Sequence, residues 1–175
     1  GYVTPKEMGQ NMTANQIFES GKTIAGELTK IGINLNLAPV ADLASDQNPS
    51  YAMRCLGSDA DGVADLLDDF VSGMREGGLS VTLRTFPGIG NVSADVTESI
   101  AENTDSLMTI RDTNFVPYAS GIQAGADCVM VSNAAYSKLT VKKVPAFMSQ
   151  DIVTKLLREE LGFDGIVMTS PLNDN

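Results

Sequence analysis

The sequence predicts an α/β fold made of about four βα units with parallel strands. Two observations lead to this prediction. Along the 175 residues, segments with the 3.6-residue period of an amphipathic helix alternate four times with short apolar runs. Each run is apolar almost throughout, which is typical of parallel strands that helices cover.

The first unit opens with a helix over residues 13–30. Thr13 and Gln16 stand three residues apart as in a capping box, and apolar residues follow at helical spacing. Residues 32–40 predict a strand that Pro39 stops.

In the second unit, apolar residues from Val63 to Met74 line one face of a helix that Gly77 ends, and residues 79–83 predict a strand.

The last two units repeat this order. Residues 109–123 have helical spacing, with Pro117 predicting a kink or a late start, and residues 126–132 predict a strand. Ser149 caps the next predicted helix, and residues 165–169 give the fourth strand.

No linker divides residues 1–175, so a single domain is predicted. A complete TIM-type (β/α)₈ barrel needs about 250 residues. The chain is therefore predicted to be a partial TIM-type (β/α) barrel, a fragment of a larger one. Its outer strands have unpaired edges, which we expect missing parts of the chain, a second copy in a homodimer, or a rearrangement to cover.

Charge and composition exclude several partners. Lys and Arg number 12 against 22 Asp and Glu, and the net charge of −10 repels nucleic acid and anionic lipid. No apolar run is long enough to insert into a membrane, so a soluble chain is expected. The location stays open, and an extracytoplasmic or cell-surface place in a bacterium is compatible with it.

The chain contains no histidine, so the commonest general acid–base and nitrogen metal ligand are absent. No cofactor and no metal site are predicted. Cys55 and Cys128 lie far apart in the sequence, and Cys128 stands in an apolar run, so both are predicted to be unpaired thiols.

Four segments resemble, in order, signature segments of glycoside hydrolase family 3. Residues 32–42 are similar to the strand ending in Ala-Pro-Val-x-Asp, residues 54–59 to Arg-Ser-Phe-Gly-Ser-Asp, and residues 84–91 to Lys-His-Phe-Pro-Gly-His-Gly-Asp. Residues 157–169 match the helix and strand that lead to the family's catalytic Asp. The resemblance is to the N-terminal domain of that family, in its bacterial β-N-acetylhexosaminidase branch.

The resemblance implies a retaining glycosidase, which needs a nucleophile and an acid/base on either side of the anomeric carbon. Ser170 falls on the nucleophile position, and a serine hydroxyl with no histidine to deprotonate it is a feeble nucleophile. The acid/base dyad falls on Asp95 and Thr97, and a threonine cannot carry a proton near neutral pH. Glu98 is either a substitute or a solvated loop charge. No catalytic residue is therefore assigned.

The sugar-binding positions of the family fall on four residues, Arg54, Arg84, Thr85 and Asn133. Arg54 keeps an arginine, Arg84 replaces a lysine, and the other two replace histidines. The two arginines are predicted either to bind sugar hydroxyls or a carboxylate, or to pair with Asp42, Asp59 or other loop carboxylates.

Two functions stay open. The preferred one is a catalytically inactive family 3 domain that acts as a scaffold or binds carbohydrate, of the N-acetylglucosamine type or a β-glucan. The alternative is an active β-N-acetylhexosaminidase or β-glucosidase that hydrolyses O-glycosidic bonds with groups from missing chain or another copy.

Overall fold

In a computed structural model, which describes residues 3–92 and 101–172, the four predicted strands form one parallel sheet. Its strands, in the order β1-β2-β4-β6, are β1 (Leu35–Asn36), β2 (Ser80–Phe86), β4 (Cys128–Val131) and β6 (Ile166–Thr169). Every pairing is parallel, which confirms the predicted α/β class. Within the described ranges, the sheet does not close into a barrel.

A second sheet was not predicted. It pairs β3 (Glu102–Asn103) in parallel with β5 (Ala135–Tyr136). Strands of two residues are too short to show an alternating pattern in the sequence.

Helices precede the strands of the main sheet. They are α1 (Pro5–Asn11), α2 (Ala14–Lys30), α3 (Pro49–Ala52), α4 (Ala60–Glu76), α5 (Leu107–Asp112), α6 (Phe115–Gln123), a 3₁₀ helix (Ala146–Met148) and a π-helix (Asp151–Glu160). The predicted capping box is present, because Thr13 and Gln16 exchange both hydrogen bonds. In the described ranges, no helix is long and apolar enough to cross a membrane.

Two predicted elements differ from the structure. The helix predicted over residues 109–123 is split into α5 and α6 at Thr113. Pro117 then lies in the first turn of α6, where a backbone N–H is not needed, so the late start was the correct alternative. The segment over residues 32–40, predicted as a strand that runs into a loop, contains the two-residue strand β1, and it pairs with β2 again only at the isolated bridge between Val40 and Arg84.

The core lies between the main sheet and a layer of closely packed helices. Helices α2 and α4 meet at glycines: a Cβ at Gly73 would collide with the carbonyl oxygen of Phe18, and one at Gly21 would lie 2.6 Å from that of Phe70. Both cysteines are free and buried in this structure, as predicted.

The two faces of the sheet differ. Leu83 packs against Gly121 of α6, so the alternation of side chains places Arg84 on the opposite face. On that face Ile166 is 62% exposed. The face that carries Arg84 is therefore covered only in part.

Candidate functional site

The strands of the main sheet end at one edge, and the residues of the candidate site gather there. Asp42 follows β1, Arg84 lies near the end of β2, Asn133 follows β4, and Ser170 follows β6. In parallel α/β sheets, this carboxyl edge is where binding and catalytic groups collect.

The carboxylate of Asp42, after the outermost strand β1, is fully buried. Its Oδ1 accepts hydrogen bonds from the Thr85 N–H at 2.9 Å and the Tyr118 hydroxyl at 2.8 Å. Its Oδ2 accepts from the Ile89 N–H at 2.9 Å and the Tyr51 hydroxyl at 2.8 Å. We call these five residues the Asp42 network.

The protonation of the network follows from its burial. Burial raises the pKa of the Asp42 carboxyl, and the four hydrogen bonds oppose that rise. Burial, followed by the adjacent Asp42 charge, also raises the pKa of both Tyr51 and Tyr118. The two tyrosines therefore remain protonated donors at neutral pH. Backbone N–H groups can only donate, so an ionised Asp42 satisfies every partner.

Because Asp42 is enclosed and each oxygen has two donors, it cannot reach a ligand. The network instead ties the end of β2 to the loop after it, since Thr85 is the penultimate residue of β2, Ile89 lies in the loop, and the tyrosines come from α3 and α6. Its chemical role is to hold a turn at the carboxyl edge.

Three further side chains fix the same loop. Asn114 donates to the carbonyl oxygen of Pro87 at 3.0 Å, and Tyr136 donates to that of Gly88 at 2.9 Å. Asn103 donates to the same Gly88 oxygen at 3.3 Å. Gly88 has a φ of 118°, a conformation that favours glycine. These hydrogen bonds therefore hold the loop at Pro87 and Gly88.

The chain beyond this loop carries Asp95, Thr97 and Glu98, which lie outside the described residues. Their predicted roles therefore stay predictions.

Arg84 is half-buried, and its side chain makes no ion pair within the described ranges. Its Nε is buried and has no hydrogen-bond partner. The pairing with Asp42 or Asp59 that the sequence suggested is not found, since the Asp42 network uses one carboxylate and the other caps α4 through the Gly62 N–H.

Arg54 is exposed and lies apart from this position. Its guanidinium carbon is 5.8 Å from the centre of the Tyr51 ring. It also lines a cavity of about 270 Å³ together with residues of α1 and of the segment after β1, among them Met8, Leu37 and Pro39. Of the described residues, the cavity walls do not include Arg84.

The other predicted residues are engaged to different degrees. Thr85 is buried, and its Oγ1 is hydrogen-bonded to the Tyr51 hydroxyl at 2.8 Å. Asn133 donates from Nδ2 to the Pro171 carbonyl at 2.7 Å, while its Oδ1 is buried without a partner. Ser170 donates from Oγ to the Val131 carbonyl at 3.2 Å. Arg84 and Asn133 thus keep unused polar atoms.

The sequence analysis missed the role of Asp42. A signal was present, because an aspartate directly after an apolar strand falls at the carboxyl edge of a sheet. The tyrosines gave none, since Tyr51 and Tyr118 come from separate helices that no local spacing connects.

This chain is similar to known proteins both in sequence and in fold. The family model described as "Glycosyl hydrolase family 3 N terminal domain" matches residues 4–173. A beta-hexosaminidase of Xylella fastidiosa (strain M23) is 34% identical over 155 residues, which are 89% of this chain and 45% of that protein. The chain thus spans just under half the length of this relative.

Solved structures of related proteins have a similar fold. The β-N-acetylhexosaminidase of Beutenbergia cavernae DSM 12333 has a TM-score of 0.86 at 36% identity, over 97% of this chain and 51% of its own. A glycoside hydrolase family 3 β-N-acetylglucosaminidase of Paenibacillus sp. str. FPU-7 has a TM-score of 0.91 at 30% identity, over 96% and 32%. These likenesses confirm the partial TIM-type (β/α) barrel.

Proposed function

Because this chain belongs to glycosyl hydrolase family 3, whose N-terminal domain it matches over residues 4–173, we propose that it binds a carbohydrate at the carboxyl edge of its sheet without hydrolysing it. The proposal rests mainly on the residue that follows β6, at the position where the family resemblance expects the nucleophile. That residue is Ser170, whose hydroxyl donates to the Val131 carbonyl. No histidine exists in the chain to take its proton, so the hydroxyl is a poor nucleophile.

The missing acid/base supports the same proposal. Thr97 stands where the family resemblance expects a proton-carrying residue, and a threonine hydroxyl is too weak an acid and too weak a base to serve in general acid–base catalysis near neutral pH. A hydrolytic reaction would therefore lack both of the groups that a retaining glycosidase uses.

Binding is supported by the polar atoms that remain. Arg84 Nε and Asn133 Oδ1 are a buried donor and a buried acceptor without partners, and both residues stand at the carboxyl edge. Buried polar groups are stabilised when a partner completes their hydrogen bonds, and sugar hydroxyls can both donate and accept. We propose a ligand of the N-acetylglucosamine type or a β-glucan, after the hexosaminidase relatives.

The activity test uses the purified chain with a chromogenic β-N-acetylglucosaminide and a β-glucoside. We expect no release of the chromophore above the buffer rate. Turnover that Ser170→Ala abolishes, while Ser20→Ala in α2 leaves it intact, would overturn the proposal in favour of an active hexosaminidase or β-glucosidase.

The binding test is calorimetric titration with N-acetylglucosamine and chitin fragments. Arg84→Ala is expected to weaken binding. Absence of binding to every carbohydrate tried, in a chain shown to be folded, would leave only a scaffold role.

A further inference from the structure

The position of Arg84 sets it apart from the other cations of the chain. It lies in β2, with Met130 as its register partner in β4, on the face of the sheet opposite to the one that packs against α6. Its backbone is fully paired, since its N–H donates to Pro39 and its carbonyl accepts from Ala41. Only the side chain is free to meet a ligand.

That side chain lacks an acceptor. Its Nε is buried without a hydrogen bond, although an unsatisfied buried donor is costly. Within residues 3–92 and 101–172, no ion pair involves its guanidinium. The carboxylate of Asp42, which follows β1 at the same sheet edge, already accepts four hydrogen bonds.

The chemistry of the missing acceptor follows from the guanidinium. It presents Nε and one Nη as a planar fork, which matches the two oxygens of a carboxylate. A single sugar hydroxyl would satisfy one arm of the fork and leave the charge unpaired. At the same edge Ser170, a neutral residue, follows β6, and the buried Asp42 carboxylate is occupied by its four donors.

We infer that Arg84, whose side chain is half-buried, receives the carboxylate of a sugar acid, such as a hexuronic acid, through its guanidinium, while Asn133 Oδ1 accepts a sugar hydroxyl. Because Arg84 Nε and Asn133 Oδ1 are enclosed in this structure, the two half-buried side chains turn toward the ligand when it binds. This inference rests on the proposed function and narrows it from carbohydrate in general to anionic carbohydrate. The chain has a net charge of −10, so general attraction of anions is weak and binding would report on this position.

The test is calorimetric titration of the purified chain with D-glucuronate, D-glucose and acetate. Charge-assisted, bidentate pairing predicts that glucuronate binds roughly 10-fold or more tightly than glucose. Arg84→Met should remove this preference, and Arg84→Lys, which keeps the charge without the fork, should keep only part of it. The control is Lys30→Met, which removes the same charge from the last turn of α2 and should change nothing.

A second readout needs no ligand. Arg84→Met removes a buried donor that has no partner, so its melting temperature should equal or exceed that of the unaltered chain. A large decrease would mean that Arg84 is structural and would overturn the inference.

The other outcomes separate the inference from the proposed function. Equal binding of glucose and glucuronate, or a preference that survives Arg84→Met, would overturn the sugar-acid inference and leave carbohydrate binding standing. If acetate binds as tightly as glucuronate, the sugar ring contributes nothing to binding. The sugar-acid inference would then be wrong, and Arg84 would be a simple anion site. Failure of every carbohydrate to bind would overturn both.

Discussion

Replacement of Tyr118 by phenylalanine tests whether Asp42 is ionised in the folded chain. The hydroxyl of Tyr118 donates to Asp42 Oδ1 at 2.8 Å, and the residue has no exposed surface. Its ring packs edge-on against Phe86 at 5.1 Å and would remain. The substitution therefore removes one hydrogen bond to a carboxylate and little else.

The expected cost follows from the charge of the acceptor. A hydrogen bond to a charged group contributes about 1.5–3 kcal/mol, against about 1 kcal/mol for a neutral one. We expect Tyr118→Phe to lower the free energy of unfolding by about 2 kcal/mol, which for a chain of this size is roughly 4–8 °C in melting temperature.

Tyr136→Phe is the matched control. Tyr136 is also fully buried, and its hydroxyl donates to a neutral acceptor, the Gly88 carbonyl, at 2.9 Å. We expect a loss of about 1 kcal/mol. The measurement is urea unfolding followed by far-ultraviolet circular dichroism, because the chain has no tryptophan. Equal losses for the two variants would refute an ionised Asp42.

Two further predictions concern packing and cysteine chemistry. Gly73→Ala should lower the free energy of unfolding by about 1–3 kcal/mol, because the new methyl group would collide with the Phe18 carbonyl, whereas Gly26→Ala in open space on α2 should raise it by about 0.4–1 kcal/mol. Thermal melts check both, and similar shifts for the two would contradict the close approach of α2 and α4. Burial raises the pKa of the Cys55 thiol from 9.0 to about 12. The unfolded chain therefore loses this proton first, and Cys55 should contribute a fall in stability of roughly 1.4 kcal/mol per pH unit above about pH 9. Cys55→Ala should flatten that fall in urea titrations, and unchanged slopes would count against it.

The elements that the sequence predicted well carry strong local signals. The capping box at Thr13 fixes the start of α2, and the apolar stripe before Gly77 fixes α4, because both depend on neighbours along the chain. The strand predicted in the first unit was longer than β1, because an apolar run does not show how many of its residues form hydrogen bonds with a neighbouring strand.

The candidate site was predicted only in part, for a related physical reason. Family resemblance led to Arg84, Asn133 and Ser170, which the fold brings to one edge. The Asp42 network joins groups up to 76 residues apart, and no local period links them. The sequence could not show whether Arg84 pairs with Asp42. The answer depends on the four donors that already bind the Asp42 carboxylate, and only the tertiary structure brings those donors together.

The Asp42 network also determines which positions of this chain can change independently during evolution. A single substitution at Asp42 would strand four donors at once, so it can be accepted only together with changes in the tyrosines that face it. The side chain of Arg84 has no hydrogen-bond partner in the described ranges. A substitution at Arg84 therefore does not require a second substitution elsewhere. Position 84 can therefore change by single substitutions, while the turn held by the Asp42 network changes only through coupled substitutions.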